Sequence, residues 1–222
     1  MSIPFTVYDF FGLLSTGVIW LLGIDHAFGM RWILGKQLGA GEAVLWIVVS
    51  YVIGHINSQG AAWLFERQLV ARRLGYPSTN LFADKNKKTP RLFKHYREPL
   101  PGETTKAILK RYESLSGSKS PSEAMFIFCF NLVKERSPTT YGRLQTFLNV
   151  YGFCRNMSFA ALLLSVVFVA AAVIRGVYAM LYLALISVFA AAVLFFRYIK
   201  FFRLFGREVF VSLLGLEERK ST

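Results

Sequence analysis

An all-α integral membrane protein, with four transmembrane helices and a helical cytoplasmic portion between the second and third, is the fold class this sequence predicts. Three observations predict it. The 222 residues are 54% hydrophobic and only 18% charged, against about 25% charged in an ordinary soluble domain. The apolar residues gather into four stretches near the ~20 residues needed to cross a ~30 Å hydrocarbon layer. The charge is lopsided, with 26 Lys and Arg against 13 Asp and Glu and a net of +13. Mean hydropathy is +0.42 and the pI is about 10.0.

The first stretch covers 5–28. Asp9 and Asp25 leave only 10–24 free of charge, roughly 22 Å of helix, so it spans only with both aspartates at the interfaces. No Lys or Arg precedes it, and Asp9 stands where a signal peptide would be basic, so the helix is expected to stay in the mature protein. The second stretch, 43–64, keeps a helical apolar rhythm through Trp63, Leu64, Leu69 and Val70 until Gly75-Tyr76-Pro77 ends it. Residues 78–102, with Pro90, Pro99 and Pro101, read as an irregular connection.

Two short helices are expected next, over 103–115 and 125–133. Ser120-Pro121-Ser122-Glu123 opens the second with a capping residue, a first-turn proline and an acid. That helix is apolar but too short to span, so it packs in the cytoplasmic layer or lies at the interface. A helix from Tyr141 runs through Leu144, Phe147, Leu148 and Tyr151 into the third stretch, 157–174, and the fourth covers 178–196. In the tail, Lys200, Arg203 and Arg207 share one helical face while Phe201, Phe202, Leu204 and Phe205 supply the apolar side, as in an interfacial helix. The expected organisation is a hairpin over 1–64, a basic helical segment over 65–156, a second hairpin over 157–196 and an amphipathic basic tail over 197–222.

Orientation follows from the cations. The segment 57–156 holds 17 of the 26 Lys and Arg, and 197–222 holds six more. Arg31, Lys36 and Arg175 are the remaining three. The positive-inside bias places the large segment, the tail and both termini in the cytoplasm, and membrane lipid becomes the first partner.

Two constellations could carry function. On the second helix Ser50, Gly54, Ser58 and Ala62 lie four residues apart, with His55 and Gln59 adjacent and Asn57 and Gln59 forming a polar stripe. Small residues at that spacing let helices approach closely, whereas a polar stripe lines a water-filled path; both remain open. Asp9, Asp25 and His55 are the ionisable groups expected within the helices, and such groups are functional by default. Asp25 fits an interface position, while Asp9 either does the same or pairs inside the membrane with Arg155.

The second constellation is basic. Arg67, Arg72 and Arg73 end the second helix, and Lys85, Lys87, Lys88, Arg91, Lys94 and Arg97 follow, interleaved with Phe93 and Tyr96. Cations for a phosphate backbone and rings for base stacking suit a single-stranded nucleic acid. Ordinary topology or attraction to anionic headgroups gives the same composition. No Gly-rich phosphate loop, G-x-S-x-G turn or metal-spaced His pair occurs, so neither an enzyme nor a cofactor nor a metal is expected. Cys129 and Cys154 are expected to be free thiols.

Tyr8-Asp9-Phe10-Phe11-Gly12-Leu13-Leu14 and Tyr151-Gly152-Phe153-Cys154-Arg155-Asn156-Met157-Ser158, with a cytoplasmic segment between two membrane hairpins, resemble the small multi-spanning membrane components of bacterial anti-phage defence operons. The plan is most similar to the Hailong channel effectors, and the four-helix membrane sensors of Kiwa defence share it. The Hailong resemblance implies a tetrameric ion channel of the bacterial inner membrane, held shut by single-stranded DNA oligomers from a partner nucleotidyltransferase. It assigns no binding residue; the basic residues above are read from charge alone. The expectation is a homo-oligomeric ion-conducting effector whose basic cytoplasmic surface binds an anionic ligand. The alternative is a non-conducting sensor or scaffold that recruits a soluble defence partner.

Overall fold

The computed structural model describes residues 9–35, 37–83, 91–117 and 123–216, with the side chains of Asp9, Phe11 and Glu123 outside the description. Among the described residues every regular element is helical. The chain divides into two compact units, each built from two separated stretches: Met1–Gln68 with Asn149–Tyr198, and Leu69–Leu148 with Ile199–Thr222.

In the first unit a π-helical turn, Asp9–Leu14, leads into α1, Ser15–Phe28. Gly29 ends α1 at φ 63°, donating its N–H to the His26 carbonyl while the Met30 N–H reaches back to the Asp25 carbonyl. This Schellman geometry needs a left-handed residue, which glycine adopts without steric cost. α2, Ala40–Ala61, opens at Gly39, whose N–H donates to the Glu42 carboxylate, the half of a capping box that a glycine permits. It then widens into a π-helical stretch, Ala62–Leu74.

Along α2 the residues Ser50, Gly54, Asn57 and Ala61 are buried on one stripe. The stripe faces α1 at backbone contact. A Cβ on Gly17 would lie 1.7 Å from the Ser50 carbonyl oxygen, and one on Gly54 would lie 2.1 Å from that of Leu13. Within this chain the small residues of α2 therefore serve close packing. Ala27, Leu164, Phe168, Ala171, Ala172, Met180 and Ala184 form a core against Trp20 and Phe28. Outside that core the order of a soluble bundle is reversed, since Val44, Ile56, Val173, Ile174, Tyr182 and Phe189 stand exposed.

The second unit contains α3 (Pro77–Asn80), a 3-10 turn with α4 (Lys94–Arg97), α5 (Gly102–Ser116), α6 (Glu123–Arg136) and the ends of two long helices. Those are α7, Pro138–Arg175, and α8, Met180–Ser212, each of which contributes residues to both units. Met125, Cys129 and Val133 of α6 are fully buried at four-residue spacing. Phe126 packs against Phe130, Phe205 and Phe210, and Phe82 meets Phe210 edge-on. The short apolar helix thus packs into a helical core. The tail supplies the other half of it, with Phe205, Val209, Phe210 and Leu213 buried and Arg143 paired to Glu208 at 2.8 Å.

Three helical runs are long and apolar enough to cross a membrane: Ala40–Asn80, Pro138–Arg175 and Met180–Gly215. Of the expected first span, the described residues retain the shorter apolar helix Gly12–Phe28, roughly 26 Å against a ~30 Å hydrocarbon layer.

Gly54→Ala places a methyl group against a backbone that cannot retreat, so it should destabilise the protein by about 1–3 kcal/mol. Gly41→Ala, whose Cβ meets nothing within 4 Å, should not; melting midpoints in detergent compare the two. Burial pushes the Cys129 thiol up to about 12. It should resist maleimide at neutral pH until the chain unfolds. Because the unfolded thiol ionises near 9.0, the contribution of Cys129 to stability should decline as pH rises from there toward 12.

Candidate functional site

Two polar features stand out, one in each unit. The first is a seam through the apolar bundle of α1, α2 and α7. The Trp20 indole N–H donates to the Asn57 side-chain oxygen at 3.0 Å, and the Asn57 amide donates to the backbone carbonyl of Asn156 at 3.0 Å. The Asn156 amide in turn donates to the Gly12 carbonyl at 3.0 Å, while its side-chain oxygen accepts from Arg155 Nε at 3.2 Å. Asn156 is fully buried and Asn57 only 4% exposed. Gly12 also accepts from the Thr16 hydroxyl at 2.9 Å.

Arg155 extends the seam. Its guanidinium pairs with Glu66 and donates to the Ser58 hydroxyl at 3.1 Å. Both charges are largely withdrawn from solvent, where an ion pair holds only if the remaining donors are also satisfied. Arg155 thus has a described partner in Glu66, while the expected partner Asp9 has its side chain outside the description. The seam joins two segments distant in sequence, since Gly12 belongs to 8–14 and Asn156 to 151–158.

At the other end of α1, Asp25 is 2% exposed and accepts the backbone N–H groups of Trp32, Ile33 and Leu34 at 2.8, 3.1 and 2.8 Å. It organises the loop after α1. Arg175 donates to the Ala27 carbonyl at 2.6 Å, beside the same helix end.

The second feature is basic. The π-helical stretch ends with its last carbonyls covered by side chains. Arg97 donates to the Leu74 carbonyl at 2.9 Å and to that of Arg73, Asn80 donates to Leu74 and Gly75, and the Tyr96 hydroxyl donates to Gly75 at 2.9 Å. This capping brings 91–97 against 73–75. Around it Arg72, Arg73, Arg91 and Lys94 are exposed and make no side-chain ion pair among the described residues. Arg67, in the first unit, is likewise exposed. Arg97, by contrast, is engaged as a cap. Tyr96 is buried, which holds its phenol protonated well above the usual range and removes its ring from any stacking role. Lys85, Lys87 and Lys88 lie outside the described residues.

The stripe read from α2 divides. Ser50, Gly54 and Asn57 face inward, Ser58 meets Arg155, and Gln59 points outward. Sequence reasoning gave no role to Asn156, Glu66 or Trp20. The signal for Asn156 was present, an amide beside an arginine at the entry to an apolar helix, but its partners lie 99 and 144 residues away. Among the described residues no group of three His, Cys, Asp or Glu could hold a metal ion.

Comparison with protein-family models, with curated proteins and with solved structures gives no match to this chain. The functional reading therefore rests on the residues themselves.

Arg155→Met removes the arginine from Glu66 and one donor each from the Ser58 hydroxyl and the Asn156 side-chain oxygen, and should cost about 3–5 kcal/mol. Replacing Glu66 with Gln as well should recover part of that loss, giving a coupling in a double-mutant cycle measured by chemical unfolding in detergent.

Proposed function

We propose that this protein is a homo-oligomeric ion-conducting membrane protein controlled by an anionic ligand, most concretely a single-stranded oligonucleotide, bound to the basic surface of its second unit. The observation that carries the reading is the set Arg72, Arg73, Arg91 and Lys94. The Arg97 cap gathers these cations, and no described carboxylate neutralises them. A surface of this kind attracts phosphate oxygens and releases counterions when they bind. In the same reading the chain crosses the bacterial inner membrane four times with both termini cytoplasmic. Control follows from linkage: a ligand that binds the closed assembly better than the open one holds it shut, and its removal releases the conducting state. The resemblance of 8–14 and 151–158 to defence components would make the protein an anti-phage effector with a tetrameric assembly and a nucleotidyltransferase partner.

One observation favours a second reading, a non-conducting sensor or scaffold that recruits a soluble partner. Ser50, Gly54 and Asn57, the residues that could have lined a water-filled path, are occupied by packing within the chain.

Purified, nuclease-treated protein in liposomes decides between them. Flux that single-stranded oligonucleotides suppress supports the channel, and absence of flux from inserted oligomer supports the scaffold. Replacing Arg72, Arg73, Arg91 and Lys94 with Gln should weaken oligonucleotide binding. It should also flatten the logarithmic salt dependence by roughly 0.7 for each phosphate that is no longer neutralised. Unchanged binding and slope would move the ligand away from this surface.

A further inference from the structure

On α2 the buried stripe Ser50, Gly54, Asn57 and Ala61 has an opposite side, and at 3.6 residues per turn it carries Val48, Val52, Ile56 and Gln59, continued by Trp63 in the π-helical stretch, with His55 beside them. All of these are exposed. The Val, Ile and Trp side chains suit contact with lipid, but Gln59 and His55 do not. Among the described residues the Gln59 side chain makes no hydrogen bond, and His55 makes a T-shaped contact with the Tyr51 ring, centroids 4.6 Å apart. Measured from the basic end of the 43–64 run, the two lie roughly 8 and 14 Å inward, within hydrocarbon depth if α2 spans. Polar groups left without partners at that depth carry a desolvation cost that a polar neighbour removes.

We propose that this face of α2 packs against α2 of a second copy of this chain, with Gln59 and His55 at the contact. The proposal rests on the oligomeric assembly proposed above and adds the surface that forms it. Rotation about an axis along the membrane normal keeps the same residue of each copy at the same depth, so a polar residue on the side of α2 that faces the axis meets its own copies. A side-chain amide donates and accepts hydrogen bonds at once, and so does a neutral imidazole. Each is therefore its own complement, and an amide between transmembrane helices is a known source of association. Lipid chains offer no such partner.

The test begins from protein carrying Cys129→Ala and Cys154→Ala. Gln59→Cys, His55→Cys or, on the outward side of α8, Phe189→Cys is then added, and membranes are oxidised with copper phenanthroline. The expected result is a disulfide-linked dimer from Gln59→Cys or His55→Cys and none from Phe189→Cys. Absence of a dimer at both α2 positions, or equal linking at all three, overturns the proposal. A second measurement leaves the native cysteines in place. Gln59→Leu makes the helix more apolar, so it should fold, and it should weaken self-association in detergent roughly three- to tenfold by sedimentation equilibrium, with Gln59→Asn recovering part. Undiminished association of Gln59→Leu counts equally against the contact. Oligonucleotide-controlled flux without cross-linking would sink this contact and leave the ligand-controlled channel standing; cross-linking without flux would do the reverse.

Discussion

Asn156 is fully buried where α1, α2 and α7 meet, and both its backbone carbonyl and its side chain are hydrogen-bonded there. The architecture of the first unit depends on this. A lipid-embedded bundle gains little from the hydrophobic effect, because lipid chains are as apolar as the helix surfaces. Directional bonds and close packing must hold the helices in register. Asn57 and Asn156 provide the bonds, and Gly17 and Gly54 bring two backbones near enough for the bonds to form. Arg155, Glu66 and Ser58 then close the end of the seam.

The second unit is held differently. Its core joins the buried aliphatic side chains of Ile108, Met125, Val133, Leu144, Val209 and Leu213 to a cluster of rings, Phe126, Phe130, Phe205 and Phe210 with Tyr112 and Phe82 around them. Here apolar burial and ring contacts supply the packing. Directional bonds serve the ends of helical elements instead: Asn80, Tyr96 and Arg97 cover the carbonyls that end the π-helical stretch, and Arg111 donates to the Leu216 carbonyl at 2.8 Å.

The cations consequently divide into two kinds. Arg97, Arg111, Arg175 and Arg203 each donate to a backbone carbonyl, and Arg155 and Arg143 are paired with carboxylates. Their role is structural. Arg67, Arg72, Arg73, Arg91 and Lys94 remain exposed, as do Lys110, Arg136, Lys200 and Arg207, and the first five are those that the ligand-binding reading uses. The net charge alone could not separate the two kinds, since a capping arginine and a ligand-binding arginine count equally.

Composition and periodicity by themselves determined the all-helical membrane character, because apolar runs near 20 residues and a 3.6-residue rhythm are properties of local sequence. They also located the helix ends after Phe28 and at Gly75, where a broken apolar rhythm is a local signal. Tertiary structure decided what those features touch. It turned Ser50, Gly54 and Asn57 toward α1, left Gln59 on the outer side, gave Arg155 to Glu66 and made Arg97 a cap. It also joined the tail to the segment 69–148 in one compact unit. The physical reason is the same in each case. Helical propensity and hydropathy act between neighbours along the chain, whereas a hydrogen bond or an ion pair between helices depends on a register that only the packing of distant segments sets.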